Sequence, residues 1–90
     1  MAVPNIDEVW RRIEGLEGEV FRQKRGKPFT YSISGNALYP STTNQALPKT
    51  QFAEALRLVP IPGPGAINHL RGPSYIWSIL MDSRIRRHDW

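Results

Sequence analysis

The residues best suited to chemistry in this chain are basic side chains in an interval without acids. No Asp or Glu occurs between Glu19 and Glu54, and four cations fall within six residues of that interval: Arg22, Lys24, Arg25 and Lys27. Such a group can contact nucleic-acid phosphates, because Lys and Arg neutralise the backbone and release its counterions. The alternative is a solvated turn whose charges protect a sheet edge from aggregation.

Other cations could extend a phosphate-binding surface from distant parts of the chain. Three lie on or near predicted helices in the second half, and a further cluster of arginines at 84, 86 and 87 follows the last helix. That cluster could also complement the negative C-terminal end of the helix dipole. The sequence predicts a nucleic-acid-binding site, for DNA or RNA, at Arg22, Lys24, Arg25, Lys27, Lys49, Arg57, Arg71, Arg86 and Arg87.

The charge is divided unevenly along the chain. Residues 1–19 carry five acids and two arginines, a formal charge of −3, whereas residues 20–90 carry ten cations and three acids, a formal charge of +7. This asymmetry favours either a face that attracts polyanions or charges distributed for solubility.

Catalysis and metal binding have little support in the sequence. The chain contains no Cys, and its two histidines, His69 and His88, have no neighbours at the spacing of a ligand set. Gly63 and Gly65 do not form a phosphate cradle, since the prolines at 62 and 64 lack the N–H donors that a cradle requires. We therefore expect a non-enzymatic protein without a metal or other cofactor.

A helix-turn-helix motif is only partly matched. Ile67, Leu70 and Gly72 fit the first helix and the turn, but residues 75–81 are too apolar for a recognition helix that faces DNA and water. The same apolar segment supports an alternative function. It could belong to the core, or it could serve a protein-interaction or oligomerisation module whose partner is a second copy or another protein.

The elements that must position these residues predict an α+β domain spanning residues 1–90. Asn5 and Glu8 have the spacing of a capping box, and apolar residues then recur with helical periodicity, which predicts a helix over 5–16. Alternating apolar and polar residues predict a three-stranded antiparallel meander over 19–24, 28–34 and 37–40. The glycine of the turn at 24–27 favours a hairpin there.

The second half of the chain predicts two C-terminal helices. A polar loop at 41–47 precedes a helix over 48–58, which ends at a Pro/Gly linker over 60–65. A helical turn at 66–70 and a helix over 74–83 follow, and residues 86–90 could form a flexible basic tail. The resulting order of elements is α-β-β-β-α-α, with one hydrophobic core.

The predicted core combines apolar residues from every element. The periodicities place the following side chains in it: Val9, Trp10, Ile13, Phe21, Phe29, Tyr31, Ile33, Leu38, Phe52, Leu56, Ile76, Ile79 and Leu80.

The remaining expectations concern location. Residues 1–8 lack the basic and apolar regions of a signal peptide, and no apolar run approaches the roughly 20 residues that span a bilayer. With the absence of Cys, these features favour a cytoplasmic protein without a membrane partner.

Overall fold

The computed structural model describes residues 5–90, and its elements confirm the predicted α+β class. An N-terminal helix precedes short antiparallel strands, and further helices complete the chain. The elements are α1 (Ile6–Gly15), β1 (Phe21–Arg22), β2 (Pro28–Phe29), β3 (Tyr31–Ser34), β4 (Ala37–Pro40), β5 (Leu47–Pro48), α2 (Lys49–Leu56), a 3₁₀ turn (Pro64–Ile67), α3 (Pro73–Leu80) and α4 (Ser83–Arg86). No helix within these residues is long and apolar enough to cross a membrane. Residues 1–4, which belong to the segment predicted to lack a signal peptide, lie outside the described residues.

Helix α1 begins and ends as its sequence predicts. The Asn5 side chain accepts a hydrogen bond from the Glu8 amide at 2.9 Å, which satisfies one of the free N–H groups of the first turn. Val9, Trp10 and Ile13 are buried on one face, and the helix ends at Gly15. One amphipathic face therefore holds α1 on the core.

The strands form two sheets instead of the single predicted meander. β1 pairs with β2 in register Phe21↔Phe29, while β3, β4 and β5 form a separate antiparallel sheet with β4 in its centre. The predicted second strand is interrupted at Thr30, whose amide donates to the Ser41 hydroxyl at 3.0 Å. Because that amide leaves the strand ladder, the chain passes from one sheet to the other at this residue.

Strand β5 and helix α4 are the elements that the sequence does not predict. Leu47 is fully buried and pairs with Leu38, so the end of the predicted polar loop becomes a strand. The helix predicted over 74–83 corresponds to α3 and ends at Leu80, and Asp82 then caps a new helix, α4. Its carboxylate accepts the amide hydrogen of Arg84 at 2.9 Å.

A single hydrophobic cluster connects all the layers. It contains the predicted core residues, except that Ile33 is half-buried at its margin, and it adds Leu47, Ala55, Ile61, Ile67 and Ile85. The apolar residues of α3 that enter it, among them Ile76, Ile79 and Leu80, have no exposed surface. The most apolar helix of the chain is therefore a core element.

Segment 86–90 is held against the rest of the protein. Arg12 donates to the Ile85 carbonyl at 2.8 Å and forms an ion pair with Asp89 at 2.6 Å. The Trp90 indole donates to the Leu80 carbonyl at 2.8 Å. These contacts connect to α1 and α3 the segment that, from its sequence, could form a flexible basic tail.

The buried hydroxyl of Tyr31 makes the protein less stable at alkaline pH. Tyr31 is 3% exposed and donates to the Ile13 carbonyl. Burial is the main cause that raises the pKa of Tyr31 above its ordinary value of 10.0. Above that pH the unfolded chain loses a proton that the folded protein keeps, so the free energy of unfolding falls as pH rises.

We expect Tyr31→Phe to flatten this pH dependence. The variant should lose about 1 kcal/mol of stability at neutral pH with the hydrogen bond. Above about pH 10 it should lack the decline of up to about 1.4 kcal/mol per pH unit that the parent shows. Urea unfolding at several pH values measures both effects, and Tyr39→Phe, at a residue that is 41% exposed, is the control. Equal alkaline slopes in parent and Tyr31→Phe would contradict the assignment.

Candidate nucleic-acid interface

The β1–β2 hairpin places its cations on a tight turn. The Gln23 amide donates to the Lys27 carbonyl at 2.9 Å, and the Gly26 amide donates to the Gln23 carbonyl at 2.8 Å. Gly26 has φ +87°, a backbone conformation that favours glycine. Arg22 donates from Nη1 to the Gly26 carbonyl at 3.1 Å, so its guanidinium is anchored across the turn.

A groove separates β1 from the last two helices. Its volume is about 560 Å³. Three arginines and one acid contribute to its lining, together with apolar and hydroxyl groups; the lining residues are Val20, Phe21, Arg22, Trp77, Ser78, Met81, Asp82, Arg84 and Arg86. The hairpin and α4 are about 60 residues apart in sequence, and the groove brings their arginines together.

Arg84 is the side chain that fixes α4 to β1. Its Nε and Nη2 donate to the two carboxylate oxygens of Asp82 at 2.9 and 3.0 Å, and Nη2 also donates to the Val20 carbonyl at 2.8 Å. The guanidinium lies 4.3 Å from the centre of the Phe21 ring, at the distance of a cation–π contact. These contacts set the position of a positive charge in the wall of the groove.

Asp82 and Arg84 each stabilise the charged form of the other. Partial burial raises the pKa of Asp82, but the hydrogen bonds from the Arg84 side chain and amide outweigh it and hold that pKa below its ordinary value. The pKa of Arg84 is raised, mainly by the hydrogen bond to Asp82 and also by the nearby charge of Glu19. The single acid of the groove lining is thus engaged by an arginine.

A second recess continues the groove past α4. It has a volume of about 390 Å³ and is lined by Met81, Ser83, Arg86, His88 and Trp90. Arg86 and Met81 belong to both linings, so the two spaces adjoin. Arg86 donates from Nε to the Trp90 carbonyl at 2.6 Å and from Nη2 to the same oxygen, which anchors its guanidinium as the Arg22 and Arg84 groups are anchored.

A third recess lies beneath the hairpin turn and shares no lining residue with the other two. Its volume is about 370 Å³, and its lining residues are Gln23, Lys24, Arg25, Pro64 and Ser74. Lys24 Nζ lies 3.1 Å from the position that a Cβ on Gly63 would occupy, so the end of the Lys24 side chain lies against the Pro/Gly linker.

The three recesses follow one face of α3. Ser74 lines the third recess, and residues 77, 78 and 81 line the groove, at the spacing i, i+3, i+4 and i+7. We call this combined surface the basic trench. Its cations are Arg22, Lys24, Arg25, Arg84 and Arg86, and with Asp82 they give a formal charge of +4, equal to that of the whole chain.

Three of the predicted site residues lie away from the trench, on or near α2. Lys49 forms an ion pair with Asp7 at 2.7 Å, and the hydrogen bond in this pair lowers the pKa of Asp7. Arg57 lies 3.8 Å from Glu54. Arg71 follows the 3₁₀ turn, and its amide donates to the Gln51 side chain at 2.9 Å. These residues line none of the three recesses.

The other predicted residues border the trench or belong to it. Arg22, Lys24, Arg25 and Arg86 line it, whereas Lys27 and Arg87 are exposed beside it, on the hairpin and at the end of α4. The structure adds Arg84, which the sequence prediction omitted from the site. Asp82 stands at the N-cap of α4, and Arg84 follows it by two residues. This spacing lets one carboxylate cap the helix and bind the arginine, and it is the sequence signal that indicates Arg84.

No family model, curated protein or solved structure matches this chain. Among residues 5–90, no group of three or more metal-ligating side chains is present.

Proposed function

We propose that this protein is a non-enzymatic nucleic-acid-binding domain that contacts phosphates along the basic trench. The observation that carries the proposal is the placement of five cations from the hairpin and α4 in three recesses that follow one face of α3. The only acid in that lining, Asp82, is engaged by Arg84. Phosphate contacts by Arg and Lys supply most of the affinity in sequence-independent binding.

The arginine side chains of the trench are also held in place by the protein, which favours ligand binding. Arg22, Arg84 and Arg86 each donate to a main-chain carbonyl, so their side chains are held in place before a ligand arrives. Binding then costs less side-chain entropy than it would for freely moving arginines. Guanidinium groups also match the geometry of phosphate oxygens better than ammonium groups do.

The alternative, a protein-interaction or oligomerisation module, has less support. Its main basis was the apolar helix now seen as α3, and the apolar side chains Ile76, Ile79 and Leu80 of that helix are enclosed in the chain's own core. The large apolar side chains that are most exposed, Val20, Tyr39 and Leu58, lie before β1, on β4 and after α2. The charged trench is therefore the stronger candidate surface.

A salt titration tests the proposal. Anisotropy of a labelled oligonucleotide should report binding at low salt that weakens with a log–log slope of about −3.5, the value for five contacts at about −0.7 each on a single strand. Polyglutamate, which offers negative charge without phosphates, should compete poorly. Absence of binding at about 50 mM salt, or a slope near zero, would refute the proposal.

A further inference from the structure

We infer that the trench holds a single strand and not a duplex, with one phosphate at Arg22, Arg84 and Arg86 and an adjoining base against Trp77. This inference rests on the proposed function and specifies its ligand. It depends on three features of the groove: unused donors, apolar surface beside them, and a shape that a duplex does not fit.

The groove arginines keep donors that the protein does not use. Within residues 5–90, Nη1 of Arg84 and of Arg86 makes no hydrogen bond, and neither do Nε and Nη2 of Arg22. All three arginines line one groove. Charge-assisted bonds from such groups to phosphate oxygens are about twice as strong as neutral ones.

The apolar part of the groove suits a base. Trp77 and Met81 line the side formed by α3, and Val20, which is 52% exposed, lies on the opposite side. A phosphate alone would not need this surface, whereas a base can stack on an aromatic ring while its phosphate meets the arginines. The Trp77 ring is held in place because its indole donates to the Ile61 carbonyl at 2.9 Å.

A duplex fits the surface poorly. Basic ribbons that read duplex DNA insert into the major groove, but each strand of this hairpin has only two residues, and the Lys24 side chain of its turn lies against the linker at Gly63. The groove itself is a recess of about 560 Å³, the size range of pockets for small ligands. A base-paired duplex would contact only the rim of the groove, whereas an unpaired nucleotide can enter the groove.

Three ligands of equal length test the inference on the unaltered protein. Anisotropy should show an unstructured thymidine oligonucleotide binding at least about tenfold more tightly than a duplex of the same length at equal salt. An abasic oligonucleotide keeps the phosphates but has no bases. It should bind about 5- to 150-fold more weakly than the thymidine strand, which is the effect of losing one stacked base.

Fluorine NMR of fluorotryptophan-labelled protein locates the base. The Trp77 resonance, assigned by its absence in Trp77→Phe, should shift on binding the thymidine strand. The Trp10 resonance is an internal control, since Trp10 is 3% exposed and lies in the core. A shift at Trp77 without one at Trp10 is the expected result.

Substitution of Trp77 gives a second measurement. Trp77→Ala should weaken binding of the thymidine strand about 5- to 150-fold and leave abasic binding unchanged. Because Ala also removes the bond to Ile61, Trp77→Phe keeps an aromatic face without that bond and should bind within about threefold of the parent. Tyr39→Ala, at an exposed aromatic residue that does not line the trench, should have no effect.

The outcomes separate this inference from the proposed function. Equal binding of duplex and single strand, or an unchanged Trp77 resonance, would overturn the inference and leave phosphate binding by the trench in place. Binding of the abasic strand as tight as that of the thymidine strand would also overturn it. Failure of all three ligands to bind at low salt would refute the proposed function itself.

Discussion

Replacing Arg22, Lys24 and Arg25 together by Gln is expected to weaken oligonucleotide binding about 100-fold at about 0.1 M salt. Each phosphate contact on a single strand contributes about 0.7 to the slope of log K against log salt, so losing three should reduce that slope by about 2. All three side chains are exposed, and exposed substitutions usually change stability by less than about 0.5 kcal/mol. The circular dichroism spectrum should therefore be unchanged.

The matched control removes the same charge from outside the trench. Lys49, Arg57 and Arg71, changed together to Gln, lower the net charge equally but line none of the three basic recesses. We expect less than a threefold loss of affinity. An equal loss in the two triple variants would show that binding depends on net charge and not on the trench, which would contradict the site described above.

Gly72→Ala is expected to be the most destabilising single substitution among these predictions, with a loss of roughly 2–5 kcal/mol. Gly72 has φ +60°, where a side chain costs about 1–2 kcal/mol. A Cβ would also lie 2.7 Å from Cδ2 of Leu47, which is fully buried. Crowding of a packed core typically costs a further ~1–3 kcal/mol. Urea unfolding should show the loss as a lower midpoint.

Gly15→Ala is the control for this substitution. Gly15 lies at the end of α1, and nothing is found within 4 Å of the position of an added Cβ. Alanine there should be neutral or should stabilise the protein by about 0.5–1 kcal/mol. An unchanged unfolding midpoint for Gly72→Ala would mean that the turn before α3 adapts, and the tight contact with Leu47 would then have no energetic role.

The parts of the fold that could be predicted are those with local signals. The Asn5 cap and the spacing of Val9 and Ile13 predict α1 within one residue at either end. The alternation around Tyr31 predicts which side of the strand is buried. In both elements apolar and polar residues alternate regularly over several positions. This pattern identifies the buried face without knowledge of what packs against it.

The strand pairing and the helix division could not be predicted in this way. β5 has two residues, which is too short for any period, and it forms because Leu47 pairs with Leu38 in the core. The interruption at Thr30 depends on the Ser41 hydroxyl, eleven residues away. The break between α3 and α4 has a local signal in Asp82, but the continuous apolar character of residues 75–81 concealed it.

For the candidate site, the sequence by itself determined the charges of the hairpin and the turn that carries them. Only the tertiary structure decided which other cations join them: Arg84 of α4 contacts the Phe21 ring of β1 and the Val20 carbonyl before it, whereas Lys49 and Arg57 form ion pairs at α2. The physical reason is the sequence separation of the contacts that form each feature. A hairpin turn is fixed by contacts within a few residues, while a surface shared by elements about 60 residues apart exists only after the core between them has packed.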